Sequence, residues 1–142
     1  MTKSSRNLNS ENKIRNELKN KVILITGGAG SIGSVLTKKI LGYPVKTVRV
    51  LDNDEYGLFK LGKAIKDPRL RLLLGNIQDQ DRMEIAGNGA DIVIHAAAVK
   101  NIEITEFNPI ETIDVNINGT VNMIKMAIRN KPKKFLNVSS DK

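Results

Sequence analysis

An open parallel α/β sheet, doubly wound with strand order 3-2-1-4-5, is the fold class this sequence predicts. Three observations predict it. Five apolar runs of four to six residues alternate with segments of helical periodicity. A glycine-rich turn, Thr26-Gly27-Gly28-Ala29-Gly30-Ser31-Ile32-Gly33, directly follows the first run, Val22-Ile23-Leu24-Ile25. An acidic residue, Asp52, closes the second run, 19 positions beyond Gly33. Right-handed crossovers then set the strand order and put a ligand crevice at the carboxyl edge, between strands one and four.

The elements follow in order. Residues 1–20 form a polar arm; Met1–Ser10, rich in Ser and Asn, is expected to be disordered. A short helix over Glu11–Lys19 is predicted from Ile14 and Leu18. Strand one is Val22–Thr26. The helix after the glycines carries Ile32, Val35, Leu36 and Ile40, a stripe expected to face the core, and Gly42 and Pro44 end it. Strand two is Thr47–Leu51. A weaker helix runs from Glu55 to Ile65, Asp67-Pro68 makes a turn, and strand three is Leu70–Leu74. A short helix over Asp79–Ala86 stops at Gly87 and Gly89, and strand four is Asp91–His95. The spacing of Ile113, Ile117, Val121, Ile124 and Ile128 predicts one long helix from Pro109 to Arg129 with that face buried. Strand five is Lys134–Val138. Residues 21–142 thus read as one domain that stops just after a core strand, with a C-terminal substrate region expected to be absent.

The glycine turn between strand and helix is the sequence form of a Rossmann-type dinucleotide-binding unit. Its glycines allow positive φ at the turn, close approach of backbone to a pyrophosphate, and close packing of helix on strand. Backbone N–H groups at the helix start favour phosphate. Gly27, Gly28, Gly30, Ser31, Ile32 and Gly33 are therefore cofactor-binding candidates. Asp52, with Asn53 beside it, can accept hydrogen bonds from the adenosine ribose and would repel a 2′-phosphate. The cofactor is thus NAD or NADP, with NAD favoured, although Arg49 and Asn53 lie nearby. Equally, Asp52, Asn53 and Asp54 can simply cap the next helix. Asn76 and Ile77 fall where an adenine would lie, or form a plain turn with Gly75. Ala96, Ala97 and Ala98 are small where the chain passes the dinucleotide. Lys100 points to phosphate or substrate, or into solvent. His95 ends a buried strand and reads as a hydrogen-bonded core residue before a catalytic one. Asn116 reads first as a tie between its helix and a neighbouring backbone, and second as a holder of a water near the cofactor.

Composition removes other classes. Forty per cent hydrophobic and 27% charged residues describe an ordinary globular domain. No apolar run approaches the ~18 residues of a membrane span, and the polar N-terminus has no signal-peptide core. No cysteine and one histidine come close to excluding a structural zinc site; a cytoplasmic location is expected. The net charge of +8 has +3 in residues 1–20 and the rest scattered, with 4% aromatics, so nucleic acid is not expected as a partner.

Taken in order, Thr26–Gly33, His95-Ala96-Ala97-Ala98-Val99-Lys100, Glu106-Phe107-Asn108-Pro109, Asn116-Ile117-Asn118-Gly119 and Ser139-Ser140-Asp141-Lys142 resemble the extended short-chain dehydrogenase/reductases. Within them, the sequence is similar to the polysaccharide-biosynthesis branch of UDP-N-acetylglucosamine-type 4,6-dehydratases, from Lys21 to Lys142. The resemblance implies oxidation at sugar C4, loss of water across C5 and C6, and return of the hydride to C6, on a UDP-sugar. It places Ser140 where a hydroxyl orients the sugar, and Asp141 and Lys142 as acid and base of the elimination. On spacing alone, Asp141-Lys142 reads as a solvated end. The family also needs a tyrosine with a lysine four residues on. Tyr43 and Tyr56 lie on the wrong side of the strand order and are not expected to offer that spacing, so this chain by itself is expected to be inactive. A 4-epimerase or reductase of the same superfamily, and a stand-alone dinucleotide-binding module, are the competing readings. A second copy of the chain is a further expected partner, covering apolar surface.

Overall fold

The computed structural model describes residues 3–139, with side chains from residue 9 onward. Five strands, β1 (Val22–Thr26), β2 (Thr47–Asp52), β3 (Leu70–Leu74), β4 (Ile92–His95) and β5 (Lys134–Asn137), form one sheet in the order β3-β2-β1-β4-β5. Every pairing is parallel; β1 runs in register with β2 (Ile23 opposite Val48) and with β4 (Ile23 opposite Ile92). This is the predicted architecture. A strand covered on both faces needs apolar residues at consecutive positions, and Ile23, Leu24 and Ile25 are all fully buried. Ile23 and Ile25 meet one face's helices, α2 (Ser31–Leu41) and α3 (Glu55–Ala64), through Ile40, Leu41, Leu58 and Leu61. Leu24 meets the other face's helices, α4 (Gln80–Gly87) and α7 (Thr120–Asn130), through Met83, Ala86, Met123 and Met126.

The side chains turned inward differ from those expected. In α2 the buried residues are Gly33, Thr37, Ile40 and Leu41, whereas Ile32 and Val35 are exposed. Close approach at Gly33 rotates the helix away from the apolar stripe, and the Thr37 hydroxyl is satisfied by donating to the Gly33 carbonyl at 2.8 Å. The predicted long helix is three segments: α6 (Pro109–Ile113), a π-helical turn (Asp114–Gly119) and α7. Its whole predicted stripe, Ile113, Ile117, Val121, Ile124 and Ile128, is exposed, while Gly119, Met123 and Met126 are buried. Small and unbranched residues let α7 approach α4 closely: a Cβ at Gly87 would stand 2.7 Å from Met126 Cγ. Which face is buried has a direct test. Met123→Ala should cost about 2 kcal/mol and Ile117→Ala less than about 0.5 kcal/mol in urea unfolding; the reverse order would invert the helix.

Two helices were not anticipated. One, α5 (Ile102–Phe107), precedes α6 and carries the exposed side chains of Ile102, Ile104 and Phe107. The other is the first half of α1 (Lys3–Leu18), which takes in most of the stretch expected to be disordered; Met1 and Thr2 lie outside the described residues. Residues 3–18 contain neither Gly nor Pro to interrupt a helix. Asn20, with φ +57°, ends it in the left-handed region, its N–H donating to the Pro44 carbonyl. The Tyr43 hydroxyl donating to Glu11 ties α1 to the connection between α2 and β2, and Lys134 paired with Glu17 at 2.6 Å ties it to β5. Among the described residues, no helix is long and apolar enough to cross a membrane.

Candidate functional site

Where β1 and β4 lie side by side, the chain leaves β1 toward β2 and leaves β4 toward β5. The connections therefore part at the strands' carboxyl ends, and a crevice opens there. It encloses about 290 Å³ and is lined by the glycine turn, the end of β2, the loop after β3 and the loop after β4.

The glycine turn supplies the first wall. Gly27 has φ +67°, and a Cβ placed on it would lie 2.6 Å from the Ala97 backbone nitrogen. Only glycine permits both this turn and this approach of the β1 exit to the β4 exit. Gly33 is equally tight, since a Cβ there would stand 2.5 Å from Gly28 Cα. Gly30 precedes α2 and has no side chain to cap it. The first-turn N–H groups of an eleven-residue helix are thus left facing the crevice, where an anion can accept from them. Gly27, Gly30, Ser31, Ile32 and Gly33 all line the crevice. Gly28 does not: it packs beneath the turn against Val50, its N–H donating to the Leu51 carbonyl.

The β2 end supplies charge. Asp52 Oδ2 accepts from the Ala29 N–H at 2.8 Å and Oδ1 from the Asp54 N–H at 3.1 Å, which fixes the carboxylate at the crevice edge. The helix cap is a different residue: Asp54 Oδ1 accepts from the Gly57 N–H at 2.9 Å. Of the two roles weighed for this acidic cluster, capping thus falls to Asp54, and Asp52 stands at the crevice edge. Asn53 lines the crevice and is exposed. Arg49 is committed elsewhere, donating to the Ala86 and Asn88 carbonyls at the end of α4.

Asn76 and Ile77 also line the crevice, Asn76 exposed and Ile77 only 4% exposed. Ile77 therefore belongs mainly to the core and presents an edge to the crevice. Ala96, Ala97, Ala98 and Lys100 line the opposite side, with the Ala96 N–H donating to the Thr26 carbonyl. Asn116, on the π-helical turn, holds this loop by both ends of its amide: Oδ1 accepts from the Val99 N–H at 2.9 Å and Nδ2 donates to the Val99 carbonyl at 2.8 Å.

His95 lies beneath the crevice as a core residue, 2% exposed. The Thr120 hydroxyl donates to the Asn116 carbonyl, so toward His95 Nε2 it accepts; the Nδ1 atom then accepts from the Thr26 hydroxyl at 2.6 Å. The ring is neutral with its proton on Nε2, and burial pushes its pKa down to about 4.

Ser140, Asp141 and Lys142 lie outside the described residues. Against the expectation that neither tyrosine has the Tyr-x-x-x-Lys spacing, Tyr56 has it, to Lys60, but both sit on the outside of α3, the ammonium 4.6 Å above the ring. The pair does not line the crevice. Ala29, Gly75, Val99 and Val115 line it without having been singled out. Ala29 was legible inside the glycine turn; Val115 stands on the π-helical turn. Among the described residues, no group of His, Asp and Glu is placed to hold a metal ion.

The family described as "Polysaccharide biosynthesis protein" matches residues 23–142. Three relatives bear on function. An uncharacterized membrane protein of Methanocaldococcus jannaschii is 41% identical over 129 residues, 91% of this chain and 39% of its own length. The inverting UDP-N-acetylglucosamine 4,6-dehydratase of Campylobacter jejuni is 39% identical, over 86% of this chain and 37% of its own. The UDP-glucose 4-epimerase of Rickettsia rickettsii is 33% identical over the same shares. Among solved structures, Pen from Bacillus thuringiensis superposes with a TM-score of 0.83 at 40% identity, over 86% of this chain and 38% of that one. The dTDP-glucose 4,6-dehydratase DesIV of Streptomyces venezuelae, solved with NAD bound, gives a TM-score of 0.74 at 28% identity, over 80% and 38%. The chain spans well under half the length of each of these proteins.

Proposed function

Because the chain belongs to the polysaccharide biosynthesis protein family, within the extended short-chain dehydrogenase/reductases, we propose that it is the cofactor-binding portion of a nucleotide-sugar 4,6-dehydratase acting on a UDP-N-acetylglucosamine-like substrate. The observation that carries this reading is the crevice itself. It joins the uncapped start of α2, suited to a pyrophosphate, to a fixed carboxylate at Asp52, suited to a ribose. When bound, a nicotinamide dinucleotide supplies a hydride acceptor. The chain's own residues bind and orient: first-turn N–H groups donate to the phosphates, Asp52 accepts from the ribose hydroxyls, and Ala96–Ala98 leave room for the ligand. The Asp52 carboxylate fixed at the crevice edge would repel a 2′-phosphate, and Arg49 is engaged with α4, which supports NAD over NADP. Ser140, Asp141 and Lys142 are assigned to sugar orientation and acid/base work on the family resemblance alone. The similarity to a UDP-glucose 4-epimerase keeps 4-epimerisation as the second reading.

Binding tests the proposal directly. The 142-residue chain should bind NAD in calorimetric titration, more tightly than NADP. Asp52→Ala should weaken NAD by about 10- to 100-fold, the worth of hydrogen bonds to a charged acceptor, and narrow the preference over NADP. Absence of NAD binding by the unaltered chain would defeat the reading. With neither tyrosine at the crevice, the same chain should leave a UDP-N-acetylglucosamine-type substrate unconverted.

A further inference from the structure

The loop after β3 forms one wall of the crevice, yet its position is set by a helix from the next strand–helix unit. Asn122, on the first turn of α7, donates from Nδ2 to the carbonyls of Gln78 at 2.8 Å and Ile77 at 3.2 Å. The Gln78 side chain donates in turn to Asp114 on the π-helical turn, and Asp114 is itself held by Asn118 Nδ2 at 2.9 Å. Gly119 lies between these two anchors, and a Cβ on it would stand 2.6 Å from Ile77 Cδ1. The loop is thus pinned by its backbone, by a side chain and by packing, all from one stretch of nine residues, 114–122. At its other end the Gly75 N–H donates to the Asp52 carbonyl, which links it to the ribose-facing strand.

We propose that Asn122 is a positioning residue for base recognition, with Asp114 assisting through Gln78: it holds Asn76 and Ile77 at the distance from β2 that an adenine requires. The assignment rests on the dinucleotide reading of the crevice. A polar amide is spent here on two carbonyls that a surface loop would otherwise give to water. That arrangement fixes backbone, which is what a flat base needs at its edge. Asn122 touches no ligand atom in this role and acts through the loop.

The test measures base selectivity in the 142-residue chain. NAD, ADP and GDP are titrated into the unaltered protein and Asn122→Ala. The expected result is a rise of about 10-fold in the ADP dissociation constant, with GDP changed by less than about 3-fold, so that preference for adenine falls. A loss that leaves the ADP-to-GDP ratio unchanged, or no loss, overturns the proposal, because a merely structural amide weakens all ligands alike. Should Asn122→Ala fail to fold, Gln78→Ala decides, with an expected loss of about 3-fold in the same ratio and an unchanged ratio counting against it. Failure of the unaltered chain to bind NAD would instead overturn the dinucleotide reading, and the proposal with it.

Discussion

Gly27→Ala should destabilise the protein by about 3–4 kcal/mol and abolish dinucleotide binding, whereas Gly89→Ala should cost only about 1–2 kcal/mol. The two glycines share nearly the same backbone, φ +67° and +69°, so the left-handed penalty of about 1–2 kcal/mol applies to both. They differ in surroundings. A Cβ at Gly89 meets nothing within 4 Å, while at Gly27 it would fall 2.6 Å and 2.7 Å from the backbone nitrogen and Cα of Ala97. Backbone atoms have no rotamer to yield with. Relief requires the exits of β1 and β4 to part, which costs a further ~2 kcal/mol and widens the crevice where a pyrophosphate would sit. Urea unfolding of the two variants measures the difference. Equal costs would show that the turn, and not the close approach to Ala97, is what glycine serves at position 27.

Gly27 also shows which part of the site was legible in the sequence. Its turn, the strand before it and Asp52 are local patterns, each with a physical reason to recur in that order, and handedness then orders the strands without contact information. What stayed hidden depends on how closely two elements approach. The apolar stripe of Ile113, Ile117, Val121, Ile124 and Ile128 is a strong periodic signal, yet Gly119, Met123 and Met126 form the buried face. Hydrophobicity marks a face that prefers to leave water; small size and flexibility mark the face that can reach a neighbour, and here these are different faces. The π-helical turn has no sequence signature of its own, so Val115 at the crevice could not be placed in advance; Asn116 was legible as a tie to a neighbouring backbone, and the structure supplies the partner, Val99, through two hydrogen bonds. Asp52 and Asp54 were separable only by geometry, since either can cap a helix. The Tyr56–Lys60 spacing carries the opposite lesson: a family's residue pattern on the outside of α3 is a surface pair.

Acidification should expose His95. Lowering the pH from 7.5 to 4.5 should cost the unaltered protein about 2.5 kcal/mol more than His95→Gln, in urea unfolding at both values. His95 is 2% exposed, both its hydrogen-bond partners are neutral hydroxyls, and burial holds its pKa near 4 in place of the ordinary 6.5. The folded pKa is depressed, so the unfolded chain takes up the proton first. Stability from the neutral ring is therefore complete above about pH 6.5 and is lost as the pH falls toward 4. The carboxylates titrate in both proteins and cancel in the comparison, Asp67, which Arg69 holds down to about 2, included. Protonation at Nδ1 would turn the Thr26 hydroxyl from donor to acceptor and leave a charge without a counterion between β1 and β4. Because Thr26 directly precedes Gly27 and Thr120 follows the turn that carries Asn116, protonation of the folded ring should also reach the crevice: NAD affinity should hold between pH 6 and 5 and fall as the pH approaches 4. Parallel stability curves for the two proteins would mean that the ring is hydrated, or that water reaches it as soon as it is charged.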